Sequence, residues 1–165
     1  MTDATPYQFR PATCDDLPML RHWLAAPHVA RWWENADPFD AEDMADPHFR
    51  AWIVHHAGAP FAYVQDYAIH GWPDHPLTFL PEGSYGIDLF IGPEEMLGQG
   101  HGPAFVAQFS GGLIAQGAPA VGVDPDPANA GAIAAFGRAG FQPVGKAQDG
   151  PQGRYLPMVR LAGAG

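Results

Sequence analysis

Apolar residues recur along this chain in two rhythms, and the points where one gives way to the other mark its elements. Leu17, Leu20, Trp23 and Leu24 stand three and four apart, the spacing that lines one face of a helix, and predict a helix over 15–25. Thr13, followed at the third position by Asp16, is a capping-box variant that opens it, and Pro27 closes it. Residues 8–12 ahead of it read as a first strand, while Val29, Trp32 and Trp33 continue into a short second helical region. From Phe49 the rhythm changes. Two runs rich in β-branched and aromatic residues, 49–58 and 60–69, meet at a tight Gly58-Ala59 turn and predict a hairpin. A loop rich in proline and glycine, 71–83, leads to a third such run. There Tyr85, Ile87, Leu89 and Ile91 alternate with Gly86, Asp88 and Phe90, which puts Asp88 on the side away from Ile87 and Leu89.

The helical rhythm returns after the run LGQGHG at 97–102: Phe105, Val106, Phe109, Leu113 and Ile114 share a face, and Pro103 suits a first helical turn. A short apolar strand over 120–123 precedes a last helix, with Asp126 as its N-cap, Pro127 behind the cap, Ile133 and Phe136 on one face and Gly140 as the stop. Strands at 141–144 and 154–161 complete the order βααβββαβαββ. The expected class is α/β (α+β), and 165 residues without internal repeat or linker predict a single domain over 1–165.

Composition narrows the possible partners. With 47% hydrophobic and 12% aromatic residues the chain can bury enough surface to fold, and a net charge of −10 excludes the basic face that nucleic acid or an anionic membrane requires. The charge is uneven. The 87 residues between Arg50 and Arg138 hold eight acids and no lysine or arginine, and six acids lie from Glu34 to Asp46. Such a body suits a cationic small molecule. Cys14 is the only cysteine, so no intramolecular disulfide forms and the cytoplasm is the expected compartment. The first residues carry acids and no apolar run, so no signal peptide is expected. The uncharged stretch 96–123 contains Gln99, His101, Gln108, Gln116 and prolines and does not read as a membrane span. Neither His55-His56 nor His70 with His75 has the spacing of metal ligands, and no metal is expected.

The chemistry starts at the sequence GIDLFIG followed by LGQGHGPAF. Glycines let a backbone approach a ligand closely, and the free amides of a first helical turn attract phosphate. The same run also fits a plain strand-to-helix turn, and it lacks the Lys-Ser/Thr of a Walker loop. The order of the blocks goes further: strand, glycine loop and helix, then a strand and helix ending in AGF (123–141), resemble motifs A and B of the GNAT N-acetyltransferases. Within that superfamily the chain is most similar to the aminoglycoside 6′-N-acetyltransferases, over roughly residues 10–160, through HVARWWE, YVQDY, GIDLFIG, LGQGHG, DPDPAN, AIAAFGRAGF and DGPQGRYLPMV.

The resemblance implies a GNAT fold, a twisted mixed sheet of six to seven strands flanked by helices on both faces. It also implies direct transfer of acetyl from acetyl-CoA, the co-substrate, to a primary amine of a polycationic aminosugar. Leu97, Gly98, Gln99, Gly100, His101 and Gly102 would hold the pyrophosphate, the backbone of Leu89, Phe90 and Ile91 the pantetheine, and Asn129 and Phe136 further parts of acetyl-CoA. Asp88 matches the family's active-site aspartate, a base or amine-positioning group, although a solvated strand residue would look the same in sequence. Asp124, Asp149, Gln65, His70, Trp72, Trp32 and Trp33 match the amine-binding walls. Asp124-Pro125 is equally a turn, Asp149-Gly150 a hairpin signal, and the tryptophans core or rim packing. The chain departs from the family at four places: His70 replaces an acid before Gly71-Trp72, Phe136 a tyrosine, Leu97 a Gln or Arg, and Pro103 lacks an amide. Alternatives are a siderophore-type N-acyltransferase acting on lysine or hydroxylysine, and a non-catalytic module that binds acetyl-CoA or an antibiotic. As a partner, only a small-molecule amine is implied, on a monomer or homodimer.

Overall fold

The computed structural model describes residues 6–33, 45–151 and 153–163; of the acid-rich stretch from Glu34, only Ala45 and Asp46 fall within them. Seven strands form one mixed sheet in the order β1-β2-β3-β4-β5-β9-β6, and β7 and β8 form a separate two-stranded ribbon. The chain divides into two compact units, Met1–Asp66 with Asp88–His101, and Tyr67–Ile87 with Gly102–Gly165.

In the first unit, β1 (Tyr7–Pro11) pairs antiparallel with β2 (Arg50–His56), which pairs antiparallel with β3 (Ala59–Ala68). The hairpin turn sits at Ala57 and Gly58, one residue earlier than the sequence suggests. Both residues have positive φ, 52° and 83°, as the tight turn matching the twist of two strands demands. The predicted first helix is a 3-10 turn, Cys14–Asp16, running into α1 (Leu17–Leu24), with α2 (Pro27–Ala30) after it. Asp16 accepts the Thr13 amide at 2.8 Å, as the capping box predicts, and both its oxygens accept from Arg10 at 2.7 and 2.8 Å. Leu20, Trp23, Val29, Ile53, Tyr63 and Phe90 form this unit's core.

In β4 (Tyr85–Ile91) the expected alternation is only partial: Gly86, Ile87 and Phe90 are buried, while Asp88 and Leu89 are half-buried. A central strand is covered on both faces, so its polarity follows local neighbours rather than a strict period of two. β4 pairs parallel with β5 (Ala120–Val123) at Tyr85 and Gly86 and runs on for five residues beyond them.

The second unit carries α3 (His101–Ala115) from Gly102 onwards, and α4 (Ala130–Arg138). Asn129, not Asp126, caps α4: its Oδ1 accepts from the Ala132 amide at 3.1 Å, while Asp126 accepts from Ala128 in a turn upstream. Gly140 ends the helix with φ 102°, and the Phe141 amide reaches back to the Phe136 carbonyl. The predicted strand at 154–161 splits into β8 (Gly153–Tyr155), paired with β7 (Gln148–Gly150), and β9 (Met158–Leu161), flanked by β5 and β6 (Gln142–Pro143). Among the described residues no helix is long and apolar enough to cross a membrane.

The end of β4 is pinned in the first unit by close contact. His28 Nε2 donates to the Ile91 carbonyl at 2.9 Å, and a Cβ built on Gly92 would lie 2.1 Å from the Trp23 ring. Gly92→Ala should therefore destabilise the protein by about 1–3 kcal/mol, as overpacking does. Urea unfolding checks this, and an unchanged midpoint would show that the indole yields without cost.

Candidate active site

β3 turns Tyr63 and Gln65 to one face because side chains two apart in a strand share a side. Tyr63, only 1% exposed, stacks on Phe90 with ring centres 5.4 Å apart and planes at 26°. Trp33 meets both rings edge-on, at 5.0 Å from Phe90 and 6.2 Å from Tyr63. Against these rings runs a polar chain: the Tyr63 hydroxyl donates to Gln65 Oε1 at 2.7 Å, and Gln65 Nε2 donates to Asp88 Oδ2 at 3.0 Å. Burial pushes the Asp88 carboxyl above the ordinary carboxylate range, and the Gln65 hydrogen bond opposes that shift. A carboxylate so situated takes up a proton more readily than one in water.

The same unit contains the glycine loop. Residues 97–100 are exposed, Gly98 and Gly100 have φ of 71° and 84°, and nothing stands within 4 Å of a Cβ at either. The loop is open backbone leading into α3. At its end His101 is anchored: its Nδ1 and the Tyr7 hydroxyl are 2.9 Å apart, and its ring lies 4.7 Å from His56 and 5.4 Å from Phe61. Burial, together with neighbouring His56, holds the His101 imidazole below its usual value. Trp32 is half-buried under the Arg31 guanidinium, 4.9 Å from its ring, and does not join the Trp33 cluster.

The other sequence-predicted positions lie in the second unit. His70 donates from Nε2 to the Leu80 carbonyl at 2.7 Å, and Trp72 is half-buried in the loop behind it. Asp124 is half-buried just beyond β5, whereas Asp149, its side chain 85% exposed, pairs with Arg154 at 3.3 Å across the β7–β8 ribbon. Gly102 begins this unit inside α3, Asn129 serves as helix cap, and Phe136 packs edge-to-face on Phe141 at 5.7 Å. Among the described residues no group of three or more His, Cys, Asp or Glu is placed to hold a metal ion.

A family described as "Acetyltransferase (GNAT) domain" matches residues 13–148. The chain belongs to the GNAT acetyltransferases. Aminoglycoside N(6′)-acetyltransferases type 1 of Klebsiella pneumoniae and Serratia marcescens are each 30% identical to it, over 89% of this chain and 80% of theirs. Among solved structures, aminoglycoside acetyltransferase AAC(6′)-Ib with coenzyme A and kanamycin superposes with a TM-score of 0.84 at 27% identity, covering 94% of both chains. Its complex with paromomycin and acetyl-CoA gives a TM-score of 0.83 at 27% identity, covering 94% of this chain and 93% of that one. The mixed sheet with its helices is thus the GNAT fold.

Two groups of this GNAT acetyltransferase escape a motif-based reading. Tyr63 stands two residues before Gln65, and the period of two in β3 was the signal for it. His75 was considered only as a metal ligand. Its Nδ1 accepts the Leu77 amide at 3.0 Å, which leaves the proton on Nε2, 2.8 Å from the Tyr67 hydroxyl. Burial depresses the affinity of His75 for a second proton. The unfolded chain, with imidazoles near 6.5, therefore binds protons more tightly than the folded one. This contribution to stability is full above pH ~6.5 and is lost as pH falls below it. Urea midpoints should decline from pH 7.5 to 5.5, less steeply in His75→Gln; a slope equally steep in the variant would exclude His75 as a source.

Proposed function

We propose that this enzyme acetylates a primary amine of an aminoglycoside-class polycation using acetyl-CoA, with Asp88 receiving the proton the amine must lose. The observation that carries the reading is the Asp88 carboxylate itself: half-buried, raised in proton affinity, and kept available by the Gln65 amide. An ammonium has no lone pair with which to attack a carbonyl carbon, so a nearby acceptor of its proton is the group the reaction requires. The relatives that bind kanamycin or paromomycin support the substrate class, and a net charge of −10 favours a polycation over a neutral or anionic amine.

Acetyl-CoA supplies the acetyl group as a thioester. The loop at 97–100 suits its phosphates, because the positive φ of Gly98 and Gly100 and the open space about them leave the amides accessible. The indole of Trp33 and the ring of Phe90 exclude water beside Tyr63 and Gln65. The resemblance assigns Asp124, Asp149, His70 and Trp72 to amine recognition, and residues 1–165 to one acetyltransferase domain.

Release of free thiol from acetyl-CoA in the presence of kanamycin tests turnover, and saturable binding without thiol release would identify a non-catalytic module instead. Asp88→Asn should lower kcat/KM by about 10²-fold or more while acetyl-CoA affinity stays nearly unchanged. Undiminished turnover in this variant would remove Asp88 from the chemistry. Salt provides an independent check. The kcat/KM for kanamycin should fall as ionic strength rises and the Debye length shortens from ~10 Å at 0.1 M. A flat profile would exclude long-range attraction of the polycation.

A further inference from the structure

Tyr63 does not fit a purely apolar role, although it is fully buried among aromatic rings. Its hydroxyl is not solvated but spent on the side chain that touches Asp88. The donor and acceptor inventory makes that contact directional. An ionised carboxylate only accepts, so the Gln65 NH2 must face Asp88; Oε1 then faces Tyr63, and the phenol must donate. If the phenol were absent, the amide would lose the anchor at its far end, and the carboxylate alone would hold its direction. Turned by half a rotation, it would present Oε1 to the carboxylate, a contact tolerable only when Asp88 is protonated.

We propose that Tyr63 is a positioning residue for the reaction: through its hydrogen bond to Gln65 Oε1 it anchors the amide with its nitrogen towards Asp88, so that Oδ2 is held by Gln65 and Oδ1 is the oxygen turned to the substrate amine. The inference rests on the reading of Asp88 as proton acceptor. In the step it serves, a substrate N–H bond breaks and an O–H bond forms on Asp88. The nitrogen lone pair so freed forms the bond to the acetyl carbon, the carbon–sulfur bond breaks with its electron pair leaving on sulfur, and the second proton that the acetylated nitrogen sheds passes through solvent to that thiolate. Tyr63 and Gln65 exchange no proton; they set the carboxylate's orientation and its charge state beforehand.

A role in packing and a role in positioning differ in their pH signature. Tyr63→Phe keeps the ring and its stack on Phe90 and removes only the hydroxyl. Profiles of kcat/KM against pH, with acetyl-CoA and kanamycin as the probes, should then show the acidic limb moved upward by roughly half to one pH unit, because the ionised form of Asp88 loses its assured donor. On that limb, this is a loss of about three- to tenfold at fixed pH, converted at tenfold per unit. The KM for acetyl-CoA should not change. Gln65→Met should shift the limb at least as far, and adding Tyr63→Phe to it should shift it no further. A uniform loss at all pH values, or additive shifts in the double variant, would overturn the proposal and leave Tyr63 as packing alone. Asp88→Asn separates the two levels of the argument. If that variant keeps both the acidic limb and full turnover, the base reading itself fails; if it abolishes the limb while Tyr63→Phe leaves it in place, only the positioning role fails. Should Tyr63→Phe not fold, an acidic limb left unmoved in Gln65→Met overturns the proposal on its own. Titration of the Asp88 carboxyl by 13C chemical shift, with no substrate present, must give the same order of shifts.

Discussion

Gln65 and Asp88 share one hydrogen bond of 3.0 Å, and the architecture of the first unit follows from the demands that bond makes. On the proposed reading Asp88 takes a proton, which is easier for a carboxylate partly withdrawn from water, yet a withdrawn carboxylate with no donor costs several kcal/mol. The amide meets both demands, provided it points the right way. A phenol anchors its far end, the phenol stands on a strand whose alternate residues face the same side, and the rings of Phe90 and Trp33 pack beside it. Of these, burial and the Gln65 hydrogen bond bear directly on the proton affinity of Asp88, in opposite directions.

Four of the eight basic side chains of the chain are held in fixed bonds. Arg10 spends its guanidinium on Asp16 and on His55, and Arg50 is bound to Asp66, whose second oxygen accepts from the Trp52 indole. Arg154 pairs with Asp149, and Arg160 ties β9 to α3 through the Ala107 carbonyl and Ser110. Fork-shaped donors suit such fixed bonds; each ion pair cancels one charge of either sign, so the excess of ten acids is untouched. What remains to act over distance is negative, which is the sign a polyamine seeks.

Several elements were legible in the sequence because one physical rule had no rival. The spacing of Leu17, Leu20 and Trp23 left only a helix, Thr13 and Asp16 closed a capping box, and Gly140 offered the one residue able to turn left-handed after α4. Errors arose where two rules competed. Asp126 and Asn129 are both good caps; the first is used up by a turn onto Ala128, so the helix waits for the second. The run 154–161 reads as one strand by composition, but Pro157 has no amide for a ladder, and the chain bends there from the ribbon to the sheet. The glycine loop and Asp88 stood out through their neighbours in sequence. Tyr63 did not, because the donation of a buried hydroxyl to a particular amide is a fact of three dimensions.

The loop at 97–100 presents bare backbone at two of its four positions, Gly98 and Gly100, where the amides stand open. Peptide groups are the same in every residue but proline, so such a surface is insensitive to most mutations of the intervening positions, provided the two glycines stay. Drift can then replace a Gln or Arg by Leu97 without altering what the loop presents. On the proposed reading the amine end has no such insurance, because the resemblance assigns its contacts to side chains. Over evolutionary time this asymmetry would allow one acetyl donor to be kept while the acceptor is renegotiated residue by residue.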